Sequence, residues 1–182
     1  MNDFDNNWRR KQELKGRPIA DGIYKMIFGE DIIIERFERP DNKILDKEFA
    51  IDVKVKFTES GLILLGQEKF LSNKYIGYES ITVEEYQDQS TKEEGDWFKI
   101  GVQFYFVSYF NEDYTDFGLW IMIDWTKAVI LTAQNKINWY SNKNQDGSAR
   151  ASFRYTYMKQ IPSEAIIANS WEVITCLKIL SG

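Results

Sequence analysis

The stretch AIDVKVKFTESGLILLGQEKF, residues 50–70, alternates apolar and polar side chains up to a Ser-Gly corner and then nearly alternates again. A period of two sends successive side chains to opposite faces, so the stretch predicts a β-hairpin. Ile51, Val53, Val55 and Phe57 share one face of its first strand, while Asp52, Lys54 and Lys56 share the other. A two-residue turn at Ser60-Gly61 would set Lys54 opposite Gln67 and Asp52 opposite Lys69. A three-residue turn would set Asp52 opposite Glu68 instead. Either register brings an acid at position 52 beside residues 67–69. That arrangement reads in two ways: as the wet face of an ordinary hairpin, or as a site built across two strands.

Working outward, residues 1–16 are a polar, charged lead-in, loose or helical. In PIADGIYKMIF (18–28), Ile19, Ile23 and Ile27 with Tyr24 and Phe28 recur at helical spacing, with Pro18 in the first turn and Gly29 as terminator. DIIIERFE (31–38) reads as a strand, RPDNKILDK (39–47) as a loop and YESITVEEY (78–86) as a strand. QDQSTKEEGD (87–96) is a polar, acidic loop. FGLWIMID (117–124) predicts a buried strand and TKAVILTAQ (126–134) a helix. NKNQDGSAR (142–150) is loop-like, ASFRYTYMKQI (151–161) alternates again, and SEAIIANSW (163–171) reads as a short helix. No linker or repeat divides the chain, so one mixed α/β domain is expected: the lead-in, a core over 17–125 and a helix/strand extension over 126–182.

Composition removes several chemistries. Among 182 residues there is no histidine, which excludes Ser-His-Asp and Cys-His triads and His-ligated zinc. The single cysteine, Cys176, excludes an intrachain disulfide and suits a reducing compartment. The apolar runs are too short for a membrane span and no apolar leader opens the chain, so a soluble cytoplasmic protein with no membrane partner is expected. Hydrolytic chemistry in such a chain must rest on carboxylates, lysine and a hard metal ion. The net charge of −5 is uneven: residues 73–125 carry 11 acids and 3 bases, whereas residues 126–182 carry 7 bases and 3 acids.

The order helix, strand, strand with Asp52, turn, strand with Gln67-Glu68-Lys69 resembles the core of the PD-(D/E)xK nuclease superfamily, in the style of its Mrr-type and Holliday-resolvase-type members with glutamine in place of the second acid. Upstream, KGRPIADGIYKMIFGEDIIIER (15–36) is similar to the opening of resolvase-like nucleases, where an acid on the first helix joins the metal site; Asp21 holds that place. The resemblance covers residues 15–70. It implies a restriction-endonuclease-like core, a central mixed sheet flanked by helices, and Mg²⁺- or Mn²⁺-dependent hydrolysis of DNA phosphodiesters, with a homodimer as the assembly that cuts two strands. Asp52, Gln67 and Lys69 would be catalytic. Asp52, Gln67, Glu68 and Asp21 would serve the metal, and Lys69 would position the attacking water. A neutral amide at 67 would weaken metal affinity, which leaves an active enzyme and a degenerate relative both open. An alternative match pairs Pro40-Asp41 with Lys54, though Asp41 lies in a polar loop.

Lys54, Arg150, Arg154 and Lys159, the last three interleaved with Phe153, Tyr155 and Tyr157, are candidate DNA contacts. The resemblance also implies a helix over DWFKIGVQFYFVSY (96–109), although the aromatic composition there favours a strand. Two other classes of function are compatible with the sequence. One is a non-enzymatic binding or structural protein that presents its aromatics to a partner. The other is an acidic mimic of nucleic acid.

Overall fold

The computed structural model describes residues 3–37, 43–143 and 151–172. The first helix, α1, runs over Asp3–Phe28 with Pro18 inside it. The helix predicted from Pro18 therefore begins earlier, and the lead-in is helical from residue 3. An interior proline removes one helical hydrogen bond, but here the helix face around it is held by packing: Ala20 and Tyr24 are wholly buried. At Gly16 an added Cβ would lie 2.8 Å from the Phe70 ring, so α1 approaches the sheet more closely than a side chain would allow. Gly29, at φ +95°, ends the helix and donates its N–H to the Lys25 carbonyl.

Among the described residues ten strands follow in two sheets, with short helices between them along the chain. The first sheet takes β1 (Ile32–Arg36), β2 (Val53–Phe57), β3 (Ile63–Leu71), β6 (Phe104–Phe110), β7 (Phe117–Asp124) and β10 (Ile166–Asn169), in that spatial order. All neighbours are antiparallel except β3 and β6, which run parallel. A parallel pair needs a long crossover. Here it passes through β4 (Ser80–Asp88) and β5 (Glu93–Glu94), which leave the first sheet and join β9 (Ser152–Tyr157) and β8 (Tyr140–Lys143) in the order β5-β4-β9-β8. Strands after residue 125 thus complete both sheets.

Every residue of β6 is buried, as befits a central strand covered on both faces. Phe104, Phe106 and Phe110 pack with Val53, Val55, Met122 and Tyr24 on the α1 side. Tyr105, Val107 and Tyr109 pack on the opposite side with Ile81 and Val83 of β4 and with Trp125, Ala128 and Leu131 of α3 (Trp125–Ala133). The Tyr24 ring meets Phe104 and Phe106 edge-on at 5.6 and 5.5 Å. Such pairs contribute about 0.5–1.5 kcal/mol each beyond their buried area. Asp124 caps α3 by accepting from the Lys127 N–H at 2.9 Å.

Several expectations change. The helix expected over 96–109 is a 3₁₀ turn, Asp96–Phe98, followed by β6: alternating aromatics were free to serve two core faces at once, which a helix would not permit. Part of the loop expected over 39–47 is a short helix, α2 (Lys43–Phe49). The helix expected over 163–171 is a 3₁₀ turn, Ser163–Ala165, and then β10, because β7 offers it an edge to pair with. The 50–70 hairpin exists, but its loop is Thr58–Gly61, closed by Phe57 N–H to the Leu62 carbonyl, with Gly61 at φ +68°. The register is Val53↔Gly66, Lys54↔Leu65 and Lys56↔Ile63. It differs by two from the register of a two-residue turn, which preserves the faces and changes every partner.

Candidate functional site

β3 carries the centre of the site because its alternation splits QEK between two environments. Gln67 and Lys69 point toward the second sheet, and Glu68 points toward α1. The β2–β3 ladder ends at Val53 and Gly66. Beyond it, Asp52 N–H donates to the Gly66 carbonyl at 3.0 Å, and Glu68 N–H donates to Asp52 Oδ2 at 2.9 Å. The aspartate side chain thereby stands where a strand carbonyl would have continued the ladder. Gln67, 7% exposed, donates from Nε2 to Asp96 Oδ2 at 2.9 Å. Its Oε1 is buried and has no hydrogen-bond partner among the described residues.

Lys69 Nζ donates to the Thr82 carbonyl at 2.9 Å, and the Tyr105 hydroxyl donates to the same oxygen at 2.8 Å. Tyr105 pairs with Gln67 across the parallel β3–β6 ladder, which fixes its ring beneath the cluster. Burial, and after it the negative charges of Asp96 and Asp52, push the Tyr105 hydroxyl well above the usual tyrosine range. Tyr109, two periods further along the same face of β6, repeats the pattern by donating to the Ser80 carbonyl at 2.6 Å. The β4 edge is thus held against the first sheet by Lys69, Tyr105 and Tyr109, which satisfy strand carbonyls that would otherwise be buried unpaired.

The other expected residues lie elsewhere. Glu68, its side chain 4% exposed, accepts from Arg36 Nε and an Arg36 terminal nitrogen at 2.8 and 2.9 Å and from the Tyr24 hydroxyl at 2.8 Å. Asp21 pairs with the same guanidinium at 2.7 Å. Both acids serve this arginine on the α1 side of the sheet and do not join Asp52 and Gln67. Hydrogen bonds and charge from Glu68 and Asp21 raise the Arg36 pKa against the opposing effect of its burial. Lys54 pairs with Glu35 on the neighbouring strand. Arg154 is bound to Glu85 at 2.9 Å and lies 4.6 Å over the Trp97 ring, and Lys159 pairs with Glu79 at 2.6 Å. Asp41 and Arg150 lie outside the described residues.

Reading the sequence missed Asp96, Lys99 and Tyr105. Asp96 sat unremarked among the acids of the 87–96 loop; the one signal was the glycine before it. An added Cβ at Gly95 would lie 2.6 Å from the Glu84 carbonyl, so the glycine lets this loop close down on β4 and present Asp96 to Gln67. Asp96 and Gln67 meet directly, and Asp52 is bonded to the residue after Gln67, so this end of β3 carries oxygen donors of the type that hard divalent cations prefer. Among the described residues no group of three or more His, Cys, Asp or Glu is placed to hold a metal ion. No helix among the described residues is long and apolar enough to cross a membrane. No protein-family model matches the chain, and no curated protein or solved structure matches it.

Proposed function

We propose that the chain is a metal-dependent nuclease with a restriction-endonuclease-like core, acting on DNA phosphodiesters with Mg²⁺ or Mn²⁺. The observation that carries this reading is the buried Oε1 of Gln67, without a hydrogen-bond partner among the described residues, on the amide that donates to Asp96. Leaving such an atom unpaired costs about 1–3 kcal/mol, a cost that a bound cation would remove. Asp52, Asp96 and Gln67 would hold the ion, which when bound supplies an activated water and relief of phosphate charge. Asp52 is held in place by the Glu68 amide, and Asp96 by the Gln67 amide, so neither carboxylate must be ordered at the moment of reaction. Lys69, anchored on the Thr82 carbonyl that also accepts from Tyr105, would orient the water and steady the developing negative charge. The succession α1, β1, α2, β2, β3 and the parallel β3–β6 pair are compatible with the core this reading requires, although the short α2 interrupts the strands and the crossover is built of strands rather than a helix.

The test is cleavage of labelled linear, branched and single-stranded DNA with Mg²⁺ or Mn²⁺. Lys69→Ala, Asp52→Asn and Asp96→Asn are each expected to lower the rate about 10²–10⁴-fold. Metal-dependent cutting that survives all three substitutions would refute the assignment. One observation favours a second reading, a non-enzymatic binding protein: Tyr140, Tyr155 and Tyr157 cluster at 5.4–6.3 Å on the second sheet. Tyr140 and Tyr157 are 41% and 42% exposed. That reading predicts no cutting and a partner lost on Tyr140→Ala/Tyr157→Ala.

A further inference from the structure

We propose that Lys99 is a built-in counterion of the site: it neutralises Asp96 until a divalent cation displaces it, and the released ammonium then binds substrate phosphate. The proposal rests on the metal-dependent reading above and adds to it a residue with two opposed effects. Asp96 opens the 3₁₀ turn Asp96–Phe98 and Lys99 closes it. Residues three apart eclipse in this geometry, so the two side chains rise from the same side of the turn. The Lys99 and Ile100 amides both donate to the Asp96 carbonyl, at 3.0 and 2.9 Å, which fixes the backbone from which the lysine projects. Lys99 Nζ stands 3.6 Å from Asp96 Oδ1, while Oδ2 is taken by Gln67 Nε2 at 2.9 Å. One carboxylate oxygen is therefore tethered to the site and the other is covered by a cation.

The lysine contact is longer than a tight charge-assisted hydrogen bond, about 2.7–2.9 Å. It is a contact that an incoming ion can break without undoing the Gln67 tether. The Lys99 and Asp96 side chains are 17% and 31% exposed, so their charges are only partly screened. A divalent ion binding Asp96 Oδ1 would replace one positive charge by two and leave the ammonium a few ångströms away. From there it repels the ion and attracts the phosphate that the ion also holds. Removing the lysine charge must then tighten cation binding and weaken substrate binding. A residue needed only for folding would weaken both.

The experiment is calorimetric titration of Mn²⁺ into the full chain and its Lys99→Met, Lys99→Arg and Asp96→Asn variants, with anisotropy of a labelled phosphorothioate oligonucleotide in saturating Mn²⁺. Lys99→Met is expected to bind Mn²⁺ on the order of tenfold more tightly, from the Coulomb energy of one charge against two at near-water screening. It should bind the oligonucleotide severalfold more weakly. Lys99→Arg, which keeps the charge, should retain the wild-type values, and Asp96→Asn should bind Mn²⁺ more weakly. Mn²⁺ affinity that is unchanged or lower in Lys99→Met would overturn the proposal and leave the metal-dependent reading standing. Tightening by Lys99→Arg as well would assign the effect to shape and overturn it too. No Mn²⁺ binding by the wild-type chain would remove both.

Discussion

Replacing Arg36 by methionine should destabilise this protein more than any single surface change, because it strands a buried carboxylate. Glu68 lies under α1 at 4% side-chain exposure, and Arg36, at 12%, meets it through two nitrogens at 2.8 and 2.9 Å. With the guanidinium gone, the Glu68 carboxylate retains, among the described residues, the Tyr24 hydroxyl at 2.8 Å. Breaking a buried ion pair from one side costs about 3–5 kcal/mol. Asp21 is 38% exposed as a side chain, but its Oδ1, the oxygen that meets Arg36, is buried, so losing the guanidinium adds to the cost there. Removing both charges together, as Arg36→Met/Glu68→Leu, should recover most of that loss, since the buried charge of Glu68 is then gone as well. A residual deficit of about 1–3 kcal/mol should remain from the Tyr24 hydroxyl, which the double substitution leaves without its acceptor. Adding Tyr24→Phe should remove that deficit. Urea titrations at pH 7 with a common m-value measure all four proteins. If Arg36→Met lies within about 1 kcal/mol of wild type, or if the double variant is no better than the single, the account of this network is wrong.

Gly66→Ala should cost about 1–3 kcal/mol or more by overpacking: the new Cβ would fall 2.2 Å from the Phe104 ring, which is itself 1% exposed and has nowhere to move. A wild-type urea midpoint would contradict this. Tyr105→Phe should cost only about 0.5–1.5 kcal/mol, because the Thr82 carbonyl keeps the Lys69 ammonium as a donor. A larger loss in thermal unfolding would give the phenol a role not described above. Burial pushes the Glu85 carboxyl up, but hydrogen bonds from Ser141 and Arg154 and the charges of Arg154 and Lys92 outweigh it and hold the carboxyl below its usual value. A group depressed in the fold stabilises above its unfolded pKa, about 4.3, and loses that contribution as pH falls through the folded value. The stability gap between wild type and Glu85→Gln should thus be full at pH 7 and shrink with acidification below that point. A gap that stays constant to strongly acid pH would show that Glu85 carries no such linkage.

How far the fold was legible depended on whether a segment's neighbours were near in sequence. FGLWIMID (117–124) became β7 at the predicted bounds, and Trp125–Ala133 became a helix, because a buried strand and a capped amphipathic turn declare themselves locally. The hairpin faces at 50–70 were legible for the same reason: period two survives any even shift of register. The pairing was not, since it depended on the backbone of Thr58–Gly61 and on Gly61 adopting φ +68°. At 97–110 the aromatic alternation indicated a strand and the family resemblance a helix. The strand formed because both faces of β6 had partners, α1 on one side and β4 with α3 on the other.

The sequence by itself determined the class, mixed α/β, and the kind of chemistry open to a chain without histidine. It also brought Asp52 beside the 66–68 segment, because two adjacent strands joined by a short loop can hardly do otherwise. Only the tertiary structure decided which acid meets Gln67. Glu68, next in the chain to both Gln67 and Lys69, is turned away to Arg36 by the pleat, while Asp96, 29 residues from Gln67, is brought to its amide by the crossover between two parallel strands. The local period of two decides which way Glu68 turns, and the path of the chain through the second sheet decides which acid meets Gln67.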